Sequence, residues 1–203
     1  MTRPEGRNER LAARLRKLGY DVVVRPLVEI EPIETGAVDL DGYDWLVLTS
    51  AAGARELKRR AVGAATKVAA IGRATAEAWG HADLVARVST QEGLLEELPR
   101  PAGRVLFAGA EGARSLLVDE LGAEFLALYR TKPVRFDGEL RGDLAVVASA
   151  SAARALADLG GGMPVVSIGP ETTAAATGAG LHIAAEAATP DLEGLVAAVV
   201  QAG

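Results

Sequence analysis

Residues 47–55 read Val47-Leu48-Thr49-Ser50-Ala51-Ala52-Gly53-Ala54-Arg55, an apolar run followed by small and hydroxyl-bearing residues. About a hundred residues later the chain repeats it as Val146-Val147-Ala148-Ser149-Ala150-Ser151-Ala152-Ala153-Arg154. A second pair follows at nearly the same spacing, Ile71-Gly72-Arg73-Ala74-Thr75 and Ile168-Gly169-Pro170-Glu171-Thr172, both on the pattern I-G-x-x-T. Self-similarity at a fixed spacing indicates that the chain consists of two similar halves.

Both halves carry the same order of predicted elements around these stretches. A β-run leads through a Ser- or Ala-rich turn into a helix, a second β-run ends in Ile-Gly before another helix, and a third β-run precedes the last helix. The predicted β-runs are residues 22–24, 45–48, 68–71, 84–88, 125–129, 144–147, 165–168 and 181–184. Aromatic residues make up only 4% of the chain, so the core must consist of Ala, Val, Leu and Ile. This composition predicts an α/β protein with helices packed on parallel strands.

Helix starts are marked by local signals in both halves. Ser89-Thr90-Gln91-Glu92 predicts a capping box, and Thr189-Pro190 predicts a Thr cap followed by Pro at the first helical position.

Two Pro-containing segments, residues 28–33 and 129–134, interrupt the pattern in corresponding places. Residues that precede Pro favour extended geometry, so the two segments are predicted to be paired linker strands between two domains. One domain would comprise residues 1–31 with 134–203, and the other residues 32–133. Residues 31–33 and 132–134 would then lie close together, and the functional site would lie in the cleft between the halves.

Composition excludes several classes of protein. The chain has no cysteine and only two histidines, which excludes disulfides, thiolate catalysis and a histidine-rich metal site. A net charge of -5 argues against nucleic-acid binding. The sequence shows no leader pattern and no apolar run that approaches the roughly 20 residues needed to span a bilayer, so a cytoplasmic protein without membrane contact is predicted.

Candidate ligand-binding residues follow the predicted strands. In open parallel sheets, ligands bind at the carboxyl ends of strands, where loops lead into helix N-termini. Any one of these loops fits simple helix capping equally well, but five of them in two halves favour a ligand with several carboxylates. The predicted binding residues are Thr49, Ser50, Gly72, Thr75, Gly109, Ser149, Ser151, Gly169 and Thr172. The signatures G-x-G-x-x-G, G-x-x-x-x-G-K-S/T and G-x-S-x-G are absent, so neither a nucleotide cofactor nor a Ser-based triad is expected.

One tyrosine and three arginines each have two possible roles, one structural and one in ligand binding. Tyr129 lies where a linker strand reaches the predicted cleft, and it either packs between domains or belongs to the site. Arg3, Arg114 and Arg130 either bind an anionic ligand or are only solvated.

An ordered set of motifs resembles the uroporphyrinogen-III synthase family over nearly the whole chain. The set is Thr2-Arg3-Pro4-Glu5-Gly6, Pro26-Leu27-Val28-Glu29-Ile30-Glu31-Pro32, Leu48-Thr49-Ser50-Ala51-Ala52-Gly53, Ile71-Gly72-x-x-Thr75-Ala76, Tyr129-Arg130-Thr131 and Ile168-Gly169-x-x-Thr172. Two departures are visible. Only Met1 precedes Thr2, where the family usually has an apolar strand, and Thr173 stands where Ala is commoner.

The resemblance implies two flavodoxin-like or Rossmann-like parallel-sheet domains joined by a two-stranded linker. It implies a cytoplasmic, monomeric lyase of tetrapyrrole (heme, siroheme, cobalamin) biosynthesis, with possible transient contact with the enzyme that supplies its substrate. Enzymes of this family convert hydroxymethylbilane to uroporphyrinogen III, with loss of water and inversion of the last pyrrole ring, and need no metal or organic cofactor. Tyr129 resembles the family tyrosine proposed near the loss of the hydroxyl group, and Arg3, in the motif Thr2-Arg3-Pro4, is predicted to bind the substrate. The alternative is a non-catalytic two-domain binding module for a small anionic metabolite.

Overall fold

The computed structural model describes residues 8–33, 36–134 and 140–203. Helices and strands alternate along most of this length, as the repeat predicts. In chain order the elements are α1 (Glu9–Lys17), β1 (Val28–Pro32), β2 (Val38–Asp39), β3 (Trp45–Leu48), α2 (Ala51–Arg60), β4 (Ala61–Val62), β5 (Lys67–Ala70), α3 (Arg73–Trp79), β6 (Leu84–Val85), α4 (Gln91–Glu97), β7 (Val105–Ala110), α5 (Leu116–Leu121), β8 (Glu124–Pro133), β9 (Ala145–Val147), α6 (Ala150–Asp158), β10 (Val165–Ser167), α7 (Pro170–Gly178), β11 (Ile183–Glu186) and α8 (Leu192–Ala202).

The described residues fall into two compact units. The continuous unit is Glu31–Arg130, and the split unit combines the described parts of Met1–Ile30 and Thr131–Gly203. The chain passes from one unit to the other within β1 and again within β8, which are neighbours in one sheet. Ile33 N–H donates to Leu128 O at 2.9 Å and Val134 N–H donates to Leu27 O at 2.9 Å. These two hydrogen bonds pair residue 33 with residue 128 and residue 27 with residue 134, so β1 and β8 run antiparallel.

The continuous unit is built on a six-stranded sheet with the order β1-β8-β7-β3-β5-β6. The pairs β8–β7, β7–β3, β3–β5 and β5–β6 are parallel. All four residues of β3 are buried, as expected for a central parallel strand covered by helices on both faces. Phe107 on β7 packs with Leu94 of α4 and Leu117 of α5 in the core.

The split unit is built on a smaller parallel sheet with the order β11-β10-β9. Its core contains small and β-branched residues, as the low aromatic content predicts. Val147 and Val165 pack with the alanine-rich face of α6, while Val166 packs with α8. The predicted α/β class with mainly parallel sheets is confirmed.

The structure differs from the sequence-based prediction at the first β-run. Residues 21–27 contain neither helix nor strand, although Val22–Val24 were predicted to be extended as a strand. In the described part of the chain, the sheet order of the split unit ends at β9 and residues 22–24 do not belong to it, because an apolar run forms a strand only where it joins the hydrogen-bond ladder of a sheet. The prediction of a strand at residues 22–24 was therefore wrong.

The starts of α4 and α8 also differ from prediction. Thr90 caps α4 and accepts from Gly93 N–H, while Asp191 caps α8 and accepts from Gly194 N–H. Ser89 and Thr189 are not the caps, and Pro190 precedes the true cap of α8. Both caps thus occupy the same position of the repeat, three residues before a glycine.

Within residues 8–33, 36–134 and 140–203, no helix combines the length and apolar character needed to cross a bilayer.

Candidate functional site

The predicted loops of the continuous unit lie at one edge of its sheet. Leu48 is in register with Ala70 on one side and with Ala108 on the other. Because these strands are parallel, the segments that follow them emerge at the same edge. Thr49-Ser50, Gly72 and the end of β7 therefore share the carboxyl edge of the sheet, as the sequence predicts.

Ser50 joins this edge to β8 through Tyr129. Ser50 Oγ accepts from Gly53 N–H at 3.0 Å, which caps α2, and lies 2.9 Å from Tyr129 Oη. Tyr129 is only 8% exposed, and a Cβ built on Gly53 would lie 3.5 Å from its ring. The phenol is thus held by packing and by one hydroxyl. If Ser50 donates in this pair, the phenol oxygen accepts and the phenol proton remains available to a ligand, whereas in the opposite direction the phenol donates its proton to Ser50.

Two glycines of this edge allow close approach between its loops. A Cβ on Gly72 would lie 3.0 Å from Ser89 Oγ, and a Cβ on Gly109 would lie 3.2 Å from Thr49 Oγ1. Thr75 in the first turn of α3 is 4% exposed, so its hydroxyl lies inside the unit. Direct contact between Thr75 and a ligand stays a prediction.

The split unit repeats this arrangement at the carboxyl edge of its own sheet. Ser149 caps α6 by accepting from Ala152 N–H at 3.2 Å, and its Oγ lies 3.1 Å from Ser151 Oγ. Gly169 caps α7, and Thr172 is 4% exposed in the first turn of that helix. Each unit therefore offers a Ser-capped helix and a helix that follows an Ile-Gly pair. That the loops of both units face one shared cleft stays a prediction.

A chain of polar side chains at this second edge was missed by the sequence analysis. Ser167 Oγ lies 2.5 Å from Thr173 Oγ1, which in turn donates to the carboxylate of Glu186. Ser167 and Glu186 are the last residues of adjacent strands and are partners in the register of β10 with β11. Polar residues at the ends of two β-runs could have signalled the cluster, but only the register brings them together.

Charged residues line the edge of the continuous unit. The two terminal nitrogens of the Arg114 guanidinium donate to the two carboxylate oxygens of Glu92, at 2.6 and 3.0 Å. The hydrogen bonds from Arg114 are the largest cause that lowers the pKa of Glu92 to about 2. Arg130 lies between two other carboxylates, with its Nε 3.7 Å from Glu31 Oε2 and 3.7 Å from Glu111 Oε2. The predicted residue Arg3 lies outside the described residues.

A cavity of about 980 Å³ lies at the opposite edge of the split unit's sheet. Ala145, Pro164 and His182 line it, and each of them stands at the amino end of a strand. The predicted residues Ser149 and Gly169 follow the carboxyl ends of two of these strands, so this cavity is not the predicted site. Among the described residues, no group of three His, Asp or Glu side chains could hold a metal ion.

Together these features define a class of protein: an α/β protein of two compact units, each with polar loops at the carboxyl edge of a parallel sheet. Within that class, the sequence model described as Uroporphyrinogen-III synthase HemD matches residues 9–197. The chain belongs to the uroporphyrinogen-III synthase family, and the resemblance seen in the motifs is confirmed.

Relatives and a solved structure agree with this membership. The chain is 29% identical over 146 residues to a protein of Methanocaldococcus jannaschii that is provisionally named uroporphyrinogen-III synthase. It is 27% identical over 143 residues to the uroporphyrinogen-III synthase of Synechococcus elongatus. These matches cover 64% and 61% of this chain but only 60% and 54% of the relatives.

The fold is similar to the crystal structure of a mutant uroporphyrinogen III synthase from the extremely thermophilic bacterium Thermus thermophilus. The TM-score is 0.63 with 19% sequence identity, and the match covers 97% of this chain and 94% of that chain. At this level of identity the likeness concerns the fold.

Proposed function

We propose that this protein is a uroporphyrinogen-III synthase, a hydro-lyase that closes hydroxymethylbilane to uroporphyrinogen III and inverts the last pyrrole ring. The observation that carries the proposal is the Ser50–Tyr129 pair, 2.9 Å apart at the carboxyl edge of a sheet inside the family match. We further propose a cytoplasmic monomer whose reaction needs no metal or organic cofactor.

The main task of the enzyme is to hold the bilane in the geometry that leads to inversion. The bilane closes spontaneously to the uninverted isomer, so the protein must favour a less accessible folding of the chain. Positioning of reacting groups is a large source of catalysis in such reactions. The capped helices α2 and α6 offer N-terminal N–H groups for substrate carboxylates, with Ser50, Ser149 and Ser151 beside them.

Loss of the hydroxyl group begins the chemistry. A proton donated to that hydroxyl lets it leave as water and gives a delocalised azafulvenium cation. The substituted carbon of the last ring then attacks the methylene carbon of this cation and forms a spiro intermediate. The bond from that ring carbon to its original bridge breaks, the free α-carbon of the inverted ring forms a bond to the same bridge, and it loses a proton that balances the one donated at the start. Tyr129 supplies the proton directly or through water, and Ser50 fixes the position of its phenol.

The two units are proposed to be the two domains of the enzyme, with the linker strands in β1 and β8. Closure of these domains on the bilane would exclude water from the cation.

The measurement that tests the proposal is the isomer ratio of the product. Hydroxymethylbilane is generated in place, the purified chain is added without metal, and the oxidised porphyrins are separated by chromatography. We expect type III isomer in excess over the type I isomer of spontaneous closure. Type I product alone at every protein concentration would reject the enzyme and favour the binding module for an anionic metabolite.

A further inference from the structure

We propose that Arg130 is a carboxylate-binding residue of the continuous unit, and that Glu31 and Glu111 compete with the ligand for its guanidinium. This inference rests on the proposed function, since it assigns one residue to the polycarboxylate substrate. It also makes Glu111 a residue that limits affinity.

Arg130 lies at the carboxyl edge where the site is predicted. It follows Tyr129 on β8, and Glu111 is the first residue after β7. Glu111 N–H donates to Tyr129 O at 2.8 Å, which fixes the backbone of Glu111 beside Arg130. Neighbouring residues of a strand point to opposite faces of the sheet. Arg130 would therefore meet a ligand on the other side of β8 from the Ser50–Tyr129 pair.

The distances around Arg130 differ from those around an arginine that is fully hydrogen-bonded to a carboxylate. Its Nε lies 3.7 Å from each of the two carboxylates, beyond the 2.7–3.2 Å of ordinary N–H···O hydrogen bonds. Arg114 at the same edge makes hydrogen bonds of 2.6 and 3.0 Å to Glu92. The two side chains are exposed to a similar extent, 44% for Arg130 and 48% for Arg114. Geometry, and not solvent access, therefore distinguishes them.

A ligand carboxylate can form two hydrogen bonds with the guanidinium of Arg130, as the carboxylate of Glu92 does with Arg114. Two parallel N–H···O hydrogen bonds between a guanidinium and a carboxylate are strong and specific. The Glu111 carboxylate lies beside the guanidinium and repels an anionic ligand until it is displaced. Removal of the Glu111 charge should therefore strengthen binding, whereas removal of the Arg130 charge should weaken it. If this ion pair only stabilised the fold, the two substitutions would not be expected to change ligand affinity in opposite directions.

The test is a binding titration with the full chain and uroporphyrin III, the stable oxidised form of the proposed product. We compare wild type, Arg130→Gln, Glu111→Gln and the matched control Arg114→Gln at low and moderate salt. Arg130→Gln should weaken binding by about five- to tenfold, the effect of losing a partly exposed charge-assisted hydrogen bond. Glu111→Gln should strengthen binding by about two- to fivefold, with a smaller gain at higher salt. Arg114→Gln should change it by less than about twofold, because its partner is Glu92.

Three results would overturn the inference: unchanged or weaker binding by Glu111→Gln, equal effects of Arg130→Gln and Arg114→Gln, or no binding of uroporphyrin by wild type. If Arg130→Gln fails to fold by circular dichroism, Arg130→Lys replaces it and should still lose affinity, since the ammonium lacks the planar fork. Turnover is measured separately. A wild-type chain that binds uroporphyrin through Arg130 yet yields only type I product would reject the proposed turnover, and Arg130 would then be a carboxylate-binding residue of the alternative binding module.

Discussion

Two tyrosines of the continuous unit carry their phenols at opposite edges of the same sheet. Tyr129 meets Ser50 at the carboxyl edge, 2.9 Å away. Tyr43 precedes β3 at the amino edge, where its hydroxyl donates to Glu124 at 2.7 Å. The hydrogen bond to Glu124 is the main reason that the pKa of Tyr43 is raised. The two tyrosines are similarly buried. Comparing the loss of the hydroxyl at each position therefore distinguishes an effect on the candidate site from an effect on packing.

Replacing Tyr129 with Phe removes one hydroxyl and little volume. We expect kcat to fall by about tenfold and no more than roughly a hundredfold, at or below the lower end of the roughly 10²–10⁴-fold that general acid catalysis contributes, because orientation of the bilane remains. The measurement is the rate of type III formation, with thermal unfolding as a check on the fold. Tyr43→Phe is the matched control and should leave kcat within about twofold, the scatter expected away from the chemistry. Equal losses in both variants would contradict a catalytic role for Tyr129.

Glu92 gives a prediction of pH dependence. Its pKa is lowered to about 2 from an ordinary value of 4.5, first of all by the hydrogen bonds from Arg114. A lowered folded-state pKa means that the pair with Arg114 stabilises the fold fully above about pH 4.5 and that this contribution is lost as the pH falls toward 2. Carboxyl NMR should give a Glu92 midpoint near 2 in wild type and a higher midpoint in Arg114→Gln. A wild-type midpoint near 4.5 would contradict the pairing.

At the scale of elements, α4 and α8 begin in the same way although their sequences differ. In both helices a short polar side chain accepts from a glycine N–H three residues later, Thr90 from Gly93 and Asp191 from Gly194. The glycine is also required sterically, since a Cβ at Gly93 would overlap Val88 O and one at Gly194 would overlap Thr189 O. The loop before each helix therefore folds back against the first helical turn, in corresponding places of the repeat.

Alanine at either glycine should destabilise the protein. The new Cβ would meet a backbone carbonyl, which cannot rotate away, so we expect a loss of about 1–3 kcal/mol in the free energy of unfolding. Gly178→Ala in α7 is the control, because nothing lies within 4 Å of a Cβ there. That change should be neutral or stabilise by up to about 1 kcal/mol through the lower entropy of the unfolded chain. Urea unfolding measures the free energy of unfolding of the three variants. Equal changes in all three would show that the close contacts at Gly93 and Gly194 do not determine their effect.

At the scale of the whole molecule, the described residues separate into two units with their own cores. Leu94 is fully buried in the core of the continuous unit, and Leu156 is 1% exposed in that of the split unit. The split unit is assembled from the two ends of the chain, with the continuous unit inserted between them. Hence each of these cores contains residues from only one unit, and we expect the units to unfold as separate cooperative blocks.

Hydrogen exchange with one core substitution in each unit tests this expectation. Leu94→Ala and Leu156→Ala should each cost about 2–5 kcal/mol, as for other buried leucines. Leu94→Ala should accelerate exchange in β3 and β7 but leave β9 and β10 protected, and Leu156→Ala should do the reverse. Loss of protection across both units in either variant would show that the molecule unfolds as one block.

Features that depend on neighbours within a few residues could be predicted from the amino-acid sequence. Ser50 and Ser149 cap their helices through the backbone N–H three positions later. The alternation of strands and helices around the two repeated motifs also follows from the apolar periodicity, although the central strand β7 was not among the predicted strands. Such interactions need only local backbone geometry, which the residue types specify.

Contacts between residues far apart in the chain became known only from the three-dimensional structure. Tyr129 contacts Ser50 across 79 residues of sequence, and the strand register places Ser167 beside Glu186, with Thr173 linking the two side chains. The structure also placed Arg130 between Glu31 and Glu111, buried Thr75 and Thr172, and left residues 22–24 outside any strand. The physical reason is that register and packing depend on contacts between segments far apart in the chain, and the period of a single segment does not specify its partner.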